Sequence, residues 1–202
     1  MTISKIPFTR LQKESKLKKV SWAIFEKKYL AREDQWKYEW VNGIIEKTKR
    51  TMYPHHYYIL YNLRTFFTSL FFEKKVSGSF EAEIDIFLQE SIHRRPDMSY
   101  FTEEQCIAMA HDQLPIPQFI IEVVSSGDTL AKQNAKMKNY READIKVIWQ
   151  IFPETQEVII TRGKESITCF GEDICSAHPI IPSFEISIED IFRKPKLPKN
   201  KK

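Results

Sequence analysis

Two acidic residues of the sequence stand where a metal site would be built. Asp97 begins the segment 97-DMSYF-101, and Glu122 interrupts the apolar run 119-FIIEVVSS-126. A carboxylate is rarely buried without a partner, so the position of Glu122 needs an explanation. If the two segments are neighbouring strands, both carboxylates and the Val123 carbonyl converge, and magnesium accepts such oxygen ligands while keeping several waters. A magnesium ion in this position polarises a phosphodiester and activates bound water.

The same carboxylates also have ordinary structural interpretations. An Asp after a proline often belongs to a turn, and a Glu in a strand can face a basic side chain across the sheet, as Arg94 or Arg95 would allow. Residue types alone leave both interpretations open and favour the structural one.

Basic and imidazole side chains extend the possible chemistry. Lys136 and Lys138 lie on a predicted helix after the apolar strand, where an ammonium group can stabilise charge developing on a phosphate. His55 and His56 stand at the start of another helix and can position a phosphate or accept a proton. The ordinary alternative is a solvated helix face. No phosphate-cradling loop or dinucleotide fingerprint is readable, so we expect no nucleotide cofactor.

The elements that must position these residues follow from hydrophobic periodicity. A helix over about 21–31 precedes 38-YEWVNGIIEKT-48, in which Asn-Gly predicts a hairpin with Glu39 on its first strand. Apolar residues at helical spacing predict the longest helix over about 54–75. The alternation in 79–89 predicts one strand with its acidic residues on a solvated face or a charged rim.

The second half of the chain alternates strands and helices. We predict a helical or irregular stretch at 102–112 and a helix at 130–143. Strands are predicted at 97–101, 119–126, 145–152, 156–163 and 165–171, and a final short strand with a capped turn at 182–192. This order predicts an α/β (α+β) fold with a mixed central sheet flanked by helices.

Length and composition bound the remaining questions. The 202 residues fit a single domain at 21–192, between a basic leader at 1–20, expected to be mobile, and a basic tail at 193–202. The net charge of +4 permits a DNA partner. Three cysteines give neither a zinc spacing nor a disulfide framework, and no run reaches the roughly 20 apolar residues of a membrane span. We therefore expect a soluble cytoplasmic protein without membrane contact.

The order and spacing of several motifs resemble a known family. The motifs are a His near the start of the long helix, 38-YEWVNGIIEK-47, 96-PDMSYF-101, 118-QFIIEVVSSGDTLAKQNAKMKNY-140 and 147-VIWQIFPETQEV-158. Together they are similar to a large bacterial family of restriction-endonuclease-like proteins, formerly a domain of unknown function, in the PD-(D/E)xK nuclease superfamily. The resemblance covers about 21–192 and implies a restriction-endonuclease-like fold.

The resemblance also implies residue roles. Asp97 and Glu122 match the metal-binding acidic residues, Val123 would lend its backbone carbonyl, and Glu39 matches an early acidic residue that approaches the same site. The remaining matches are candidate phosphate or substrate contacts: His56, with His55 as the alternative, and Ser125.

One departure concerns the lysine of the superfamily pattern. The position two residues after Glu122 holds Val124, and the resemblance implies that a lysine on the following helix replaces it. Lys136 fits that register, and Lys138 is a further candidate for phosphate contact.

The leading hypothesis is a magnesium-dependent DNA endonuclease, in which Mn²⁺ can replace Mg²⁺, acting as a homodimer. The alternatives are a catalytically impaired DNA-binding module and a regulatory or transposition-associated protein.

Overall fold

A computed structural model of the chain describes residues 18–50, 53–125 and 127–196. Most of the predicted basic leader and tail lies outside the described residues, as does Ser126 at the end of the apolar run. Within the described ranges, no helix combines the length and the hydropathy needed to cross a membrane.

Helices and strands are mixed along the chain. The helices are α1 (Trp22–Phe25), which continues as a π-helical turn (Glu26–Leu30), α2 (Pro54–Phe72), α3 (Glu103–Ala110), α4 (Leu130–Glu142) and α5 (Ile188–Phe192). The strands are β1 (Trp36–Val41), β2 (Ile44–Lys49), β3 (Ser79–Ala82), β4 (Ile86–Gln89), β5 (Ile92–Arg94), β6 (Met98–Phe101), β7 (Phe119–Val123), β8 (Val147–Phe152), β9 (Glu157–Arg162), β10 (Glu165–Cys169), β11 (Ile174–Ala177) and β12 (Ile181–Ser187).

The larger sheet forms the centre of the molecule. Its strand order is β10-β9-β8-β7-β6-β3, with β7 and β8 parallel and the other neighbours antiparallel. Strand β7 is buried throughout, which explains its nearly continuous apolar sequence. A mixed central sheet flanked by helices is the fold class that the sequence predicted, and the structure confirms it.

The two faces of β7 have different neighbours. Ile121 and Val123 belong to the core that α2 supplies with Ile59 and Leu63. Ile120, on the opposite face, packs in a second core with residues of α4 and the smaller sheet. Because strand side chains alternate, Glu122 shares the α4 face with Ile120.

The smaller sheet has the strand order β2-β1-β5-β4. Asn42 and Gly43 connect β1 to β2 with φ angles of 51° and 86°, the left-handed pair that a tight hairpin turn requires. The predicted hairpin is therefore confirmed, with Glu39 on β1 paired to Glu46 on β2.

The prediction of one strand over 79–89 is wrong. Strand β3 pairs with β6 in the larger sheet, whereas β4 pairs with β5 in the smaller one. Glu83 lies between them with a φ of 49°, and this left-handed residue redirects the chain while its N–H donates to the Asp97 carbonyl. Asp85 consequently points to His93 and Arg95 and not to a solvated face.

Candidate active site

Asp97 directly precedes β6, and β6 pairs with β7 in the larger sheet. The two strands are antiparallel, with Met98 opposite Ile121. Asp97 Oδ2 accepts a hydrogen bond of 2.8 Å from the Val123 N–H. The C=O of a strand residue points to the same side as its N–H, so the Val123 carbonyl also lies on the β6 side of β7. The condition for convergence of the two predicted carboxylates, neighbouring strands, is therefore met.

A buried lysine neutralises Asp97. Lys37 Nζ on β1 lies 2.8 Å from Asp97 Oδ1, and both side chains are almost completely buried. His56 Nε2, in the first turn of α2, lies 4.0 Å from the same oxygen. Burial by itself raises the pKa of Asp97, but Lys37, His56 and Lys136 lower it to about 2. Asp97 is therefore ionised at neutral pH.

Glu122 is held by two side chains of α4. Lys136 Nζ lies 3.2 Å and 3.1 Å from its two carboxylate oxygens, and the Tyr140 hydroxyl donates to Oε1 at 2.5 Å. Lys136 and Tyr140 are four residues apart and so lie on one face of the helix. Burial raises the pKa of Glu122, and the charge of Asp97 raises it further, although Lys136 opposes the shift. The pKa values of the two carboxylates are thus shifted in opposite directions, a pattern common in active sites.

Glu39 is surrounded by donors. Its Oε1 accepts from the Arg95 backbone N–H at 2.9 Å, and its Oε2 lies 3.3 Å from Arg94 Nη1 and 3.4 Å from Lys136 Nζ. Burial raises the pKa of Glu39, but Lys136, Arg94 and Lys37 lower it to about 2. Lys136 Nζ therefore lies within ion-pair distance of both Glu39 and Glu122.

The remaining predicted residues divide into two groups. Ser125 lines the same cleft as the carboxylates, where its hydroxyl donates to Asp128 at 2.8 Å. His55 stacks on Tyr53 instead of approaching Asp97. Lys138 is exposed and lies 3.7 Å from Glu142 on the outer face of α4, so the structure does not bring it to the site.

Sequence reasoning missed Lys37 and Arg94 as parts of this site. Lys37 lies two residues before Glu39 on β1, so both side chains project from the same face of the strand. That spacing was a usable signal once Glu39 was a candidate. Arg94 was considered only as a possible partner of Glu122, but it contacts Glu39, Glu46 and the Asn139 amide oxygen.

The charged residues line two adjoining cavities. One is a cleft of about 500 Å³ between α2, the β1–β2 hairpin and the ends of β6 and β7. The other, of about 310 Å³, lies on the α4 side and includes Val124. Glu122, Val123, Asp128 and Lys136 line both. Glu122 is thus reached from two directions, whereas Asp97 is reached from the larger cleft.

The donor set fits a magnesium ion in kind and number. No group of three or more His, Cys, Asp or Glu side chains in the described ranges is arranged to hold a metal. Magnesium, however, is usually held by one or two carboxylates and completes its shell with water and substrate phosphate. Asp97 and Glu122 supply two carboxylates, and Val123 adds a carbonyl. Each carboxylate oxygen accepts more than one bond, so the contacts to lysine leave acceptor capacity.

The fold and the site together define an α+β protein with a carboxylate–lysine centre at the ends of adjacent strands. The family profile described as "Putative restriction endonuclease", Uma2, matches residues 22–189, and the chain belongs to this family. The resemblance inferred from the motifs is therefore confirmed.

A solved structure shares the fold. It is a putative nuclease belonging to DUF820 from Anabaena variabilis, with a TM-score of 0.67 and 18% sequence identity over 80% of this chain and 92% of that chain. At this identity, the likeness concerns the fold. Comparison with curated protein sequences gave no significant match.

Proposed function

We propose that this protein is a metal-dependent DNA endonuclease that hydrolyses phosphodiester bonds through a PD-(D/E)xK-type site. The observation that carries the proposal is the convergence of Asp97, Glu122 and Lys136 in one cleft, with Lys136 Nζ 3.1 Å from Glu122. Membership of a family described as putative restriction endonucleases supports the choice of reaction.

Three groups would hold the ion: the carboxylates of Asp97 and Glu122 and the carbonyl of Val123. When bound, Mg²⁺ or Mn²⁺ supplies a polarised phosphodiester and a water of lowered pKa. The Val123 N–H and the Tyr140 hydroxyl fix the orientation of the two carboxylates. Ordered ligands of this kind lose little freedom when an ion binds.

Lys136 supplies the positive charge that the superfamily pattern assigns to the position of Val124. Its ammonium group is directed into the cleft, where it stabilises the negative charge that develops on the phosphoryl oxygens. Glu39 acts as a positioning residue for Lys136. His56 and Ser125 line the cleft, and they would contact the phosphate of the bound strand.

The alternative is a DNA-binding or regulatory module that no longer turns over substrate. The valine at position 124 favours this alternative, because the superfamily pattern has its lysine at that position. The contact between Lys136 and Glu122 favours the enzymatic function, because α4 supplies an ammonium group to the carboxylate that the missing strand lysine would accompany.

The test is cleavage of circular DNA, both supercoiled plasmid and single-stranded, with Mg²⁺ or Mn²⁺. We expect ion-dependent cleavage by the natural protein and none by Asp97→Ala or Glu122→Ala. Calorimetric titration with Mn²⁺ separates the two candidates, because a module with a decayed site takes up no ion through Asp97. Cleavage that survives both substitutions would exclude this site.

We extend the proposal to a cytoplasmic homodimer. Two sites related by two-fold symmetry are the simplest arrangement for cutting both strands of a duplex. Sedimentation equilibrium at several concentrations would reveal a monomer if the extension is wrong.

A further inference from the structure

One edge of α2 carries aromatic rings that core packing does not explain. Tyr57 and Tyr61 line the cleft, yet they are 57% and 51% exposed. They are four residues apart on the helix, and their rings are stacked with centroids 6.4 Å apart and planes inclined by 18°. Two similarly oriented and half-exposed rings form a surface on which planar groups can stack.

Basic side chains surround this aromatic surface. Lys49, Arg50 and Arg64 line the same cleft, and Arg50 lies 3.5 Å from Glu83. Over the whole lining, five lysine and arginine residues face four aspartate and glutamate residues. The cleft therefore has a positive balance even before any metal ion binds, which suits a polyanion. Aromatic rings within a basic groove are the usual means of holding single-stranded nucleic acid.

The carboxylates lie too deep for a substrate that stays on the surface. The side chains of Asp97 and Glu122 are only 5% and 10% exposed. In a duplex, each phosphate is held by paired and stacked bases, so the stiff duplex backbone bends into a cleft less readily than an unpaired strand does. An unpaired strand can enter, and the second cavity, which shares Glu122 with the cleft, extends the space available to its chain.

We propose that the site acts on an unpaired nucleic-acid strand, whose bases stack on Tyr57 and Tyr61 while Arg64 and Lys49 contact its phosphates. The inference rests on the proposed function, since it names the substrate class of the same site. One protomer is sufficient for this substrate, so it does not depend on the proposed dimer.

The test measures binding in EDTA, where no metal-dependent step takes place. Fluorescein-labelled oligonucleotides of about 20 nucleotides are compared by anisotropy as single-stranded DNA, single-stranded RNA and duplex DNA of the same sequence. We expect the single strands to bind about 10-fold more tightly than the duplex, and the two single-stranded arms show which sugar is preferred. Lys37 and Lys136 neutralise the carboxylates, so this binding does not require an ion.

Matched variants connect the preference to the aromatic surface. The double variant Tyr57→Ala/Tyr61→Ala should bind the single strand about 10-fold more weakly, because each stacked base contributes substantially to affinity. The double variant Tyr57→Phe/Tyr61→Phe keeps the rings and should bind like the natural protein. Phe72→Ala is the control, since Phe72 is 80% exposed at the other end of the same helix. All of these residues are on the surface, so the variants should fold.

Three results would overturn the inference. One is equal affinity for single strand and duplex, and another is unchanged affinity in the double alanine variant. The third is a double alanine variant that loses only self-association in sedimentation, which would make the tyrosines a protein interface. If these results were accompanied by Asp97-dependent cleavage, the substrate class would be wrong and the proposed function would stand.

Discussion

Two clusters of wholly or partly buried charge lie close together in this molecule, and they differ in how the carboxylates are paired. In the Asp85 cluster, Arg95 donates to both oxygens of Asp85 at 2.8 Å and 2.7 Å, and His93 Nε2 lies 2.7 Å from one of them. In the cleft cluster, Lys37 contacts Asp97 and Lys136 contacts Glu122. The first cluster joins β4, β5 and the start of β6, whereas the second lines a cavity.

The two clusters differ in how many acceptor positions on the carboxylate oxygens the basic side chain leaves open. An arginine fork occupies both oxygens of a carboxylate in a fixed geometry, which suits a structural link. A lysine is a point charge on a flexible stem that leaves further acceptor positions open. The pKa of Asp85 is lowered despite its burial, because His93 and Arg95 stabilise the charged form. Of the two clusters, only the cleft also contains a carboxylate with a raised pKa, Glu122.

The largest expected effect separates Asp97 from Asp85. We expect Asp97→Asn to reduce the initial rate of DNA cleavage by roughly 1,000-fold or more, since even residues that only support a metal ligand contribute about 10- to 100-fold. Asp85→Asn should leave the rate per folded molecule within about 2-fold while lowering the free energy of unfolding in urea by about 1–3 kcal/mol. A large loss of rate in Asp85→Asn with normal stability would reverse the assignment of the clusters.

The next effect separates two lysines of one helix. Lys136→Met should reduce turnover by about 100-fold, the usual consequence of removing a group that stabilises transition-state charge. Lys138→Met is the matched control, because Lys138 is exposed and lies near Glu142. Single-turnover rates at saturating DNA measure the effect without the contribution of binding. Equal rates for the two variants would remove Lys136 from the chemistry.

The sequence predicted those parts of the site that depend on local pattern. The apolar run around Glu122 predicted a buried strand, and Asn-Gly predicted the hairpin that carries Glu39. Asp97 was placed at the start of a strand for the same reason. The position of Lys136 followed from a resemblance and from helical spacing to Tyr140, which also lies on that helix face.

The parts that failed depend on contacts distant in sequence. Alternation in 79–89 could not reveal that Glu83 is left-handed and that the two halves of the segment belong to different sheets. Lys37 was not a candidate, because its partner Asp97 lies 60 residues away in the sequence. Both failures concern the junction of the two sheets, where the cleft forms.

A third effect concerns pH and stability. The pKa of Glu39 is lowered from an ordinary 4.5 to about 2, so the unfolded chain takes up a proton first as the pH falls. The stabilisation by Glu39 is therefore complete above about pH 4.5 and disappears as the pH approaches 2. Glu122, with its raised pKa, acts in the opposite sense: its contribution is present at low pH and is lost as the pH rises through that pKa.

We expect the natural protein to lose about 2 kcal/mol of unfolding free energy through Glu39 between pH 5 and pH 3. Urea unfolding of the natural protein and Glu39→Gln over this range measures it, and the quantity compared is the slope with pH. The variant should show the shallower slope. Identical slopes would mean that Glu39 has an ordinary pKa.

The smallest effect tests whether a metal ion can displace Lys37 from Asp97. Lys37 competes with any cation at Asp97, since its ammonium nitrogen lies 2.8 Å from Oδ1. Two charges near 4 Å interact by about 4 kcal/mol at an effective dielectric constant near 20, and part of this opposes the binding of an ion. We therefore expect Lys37→Met to bind Mn²⁺ about 10-fold more tightly in calorimetry. Lys146→Met, at an exposed lysine beside Asp144, should bind Mn²⁺ as the natural protein does. Weaker binding of Mn²⁺ by Lys37→Met would mean that Lys37 holds Asp97 in the orientation that the ion needs and does not compete with the ion. The difference between the two clusters would then not be that a metal ion can replace the lysine of the cleft.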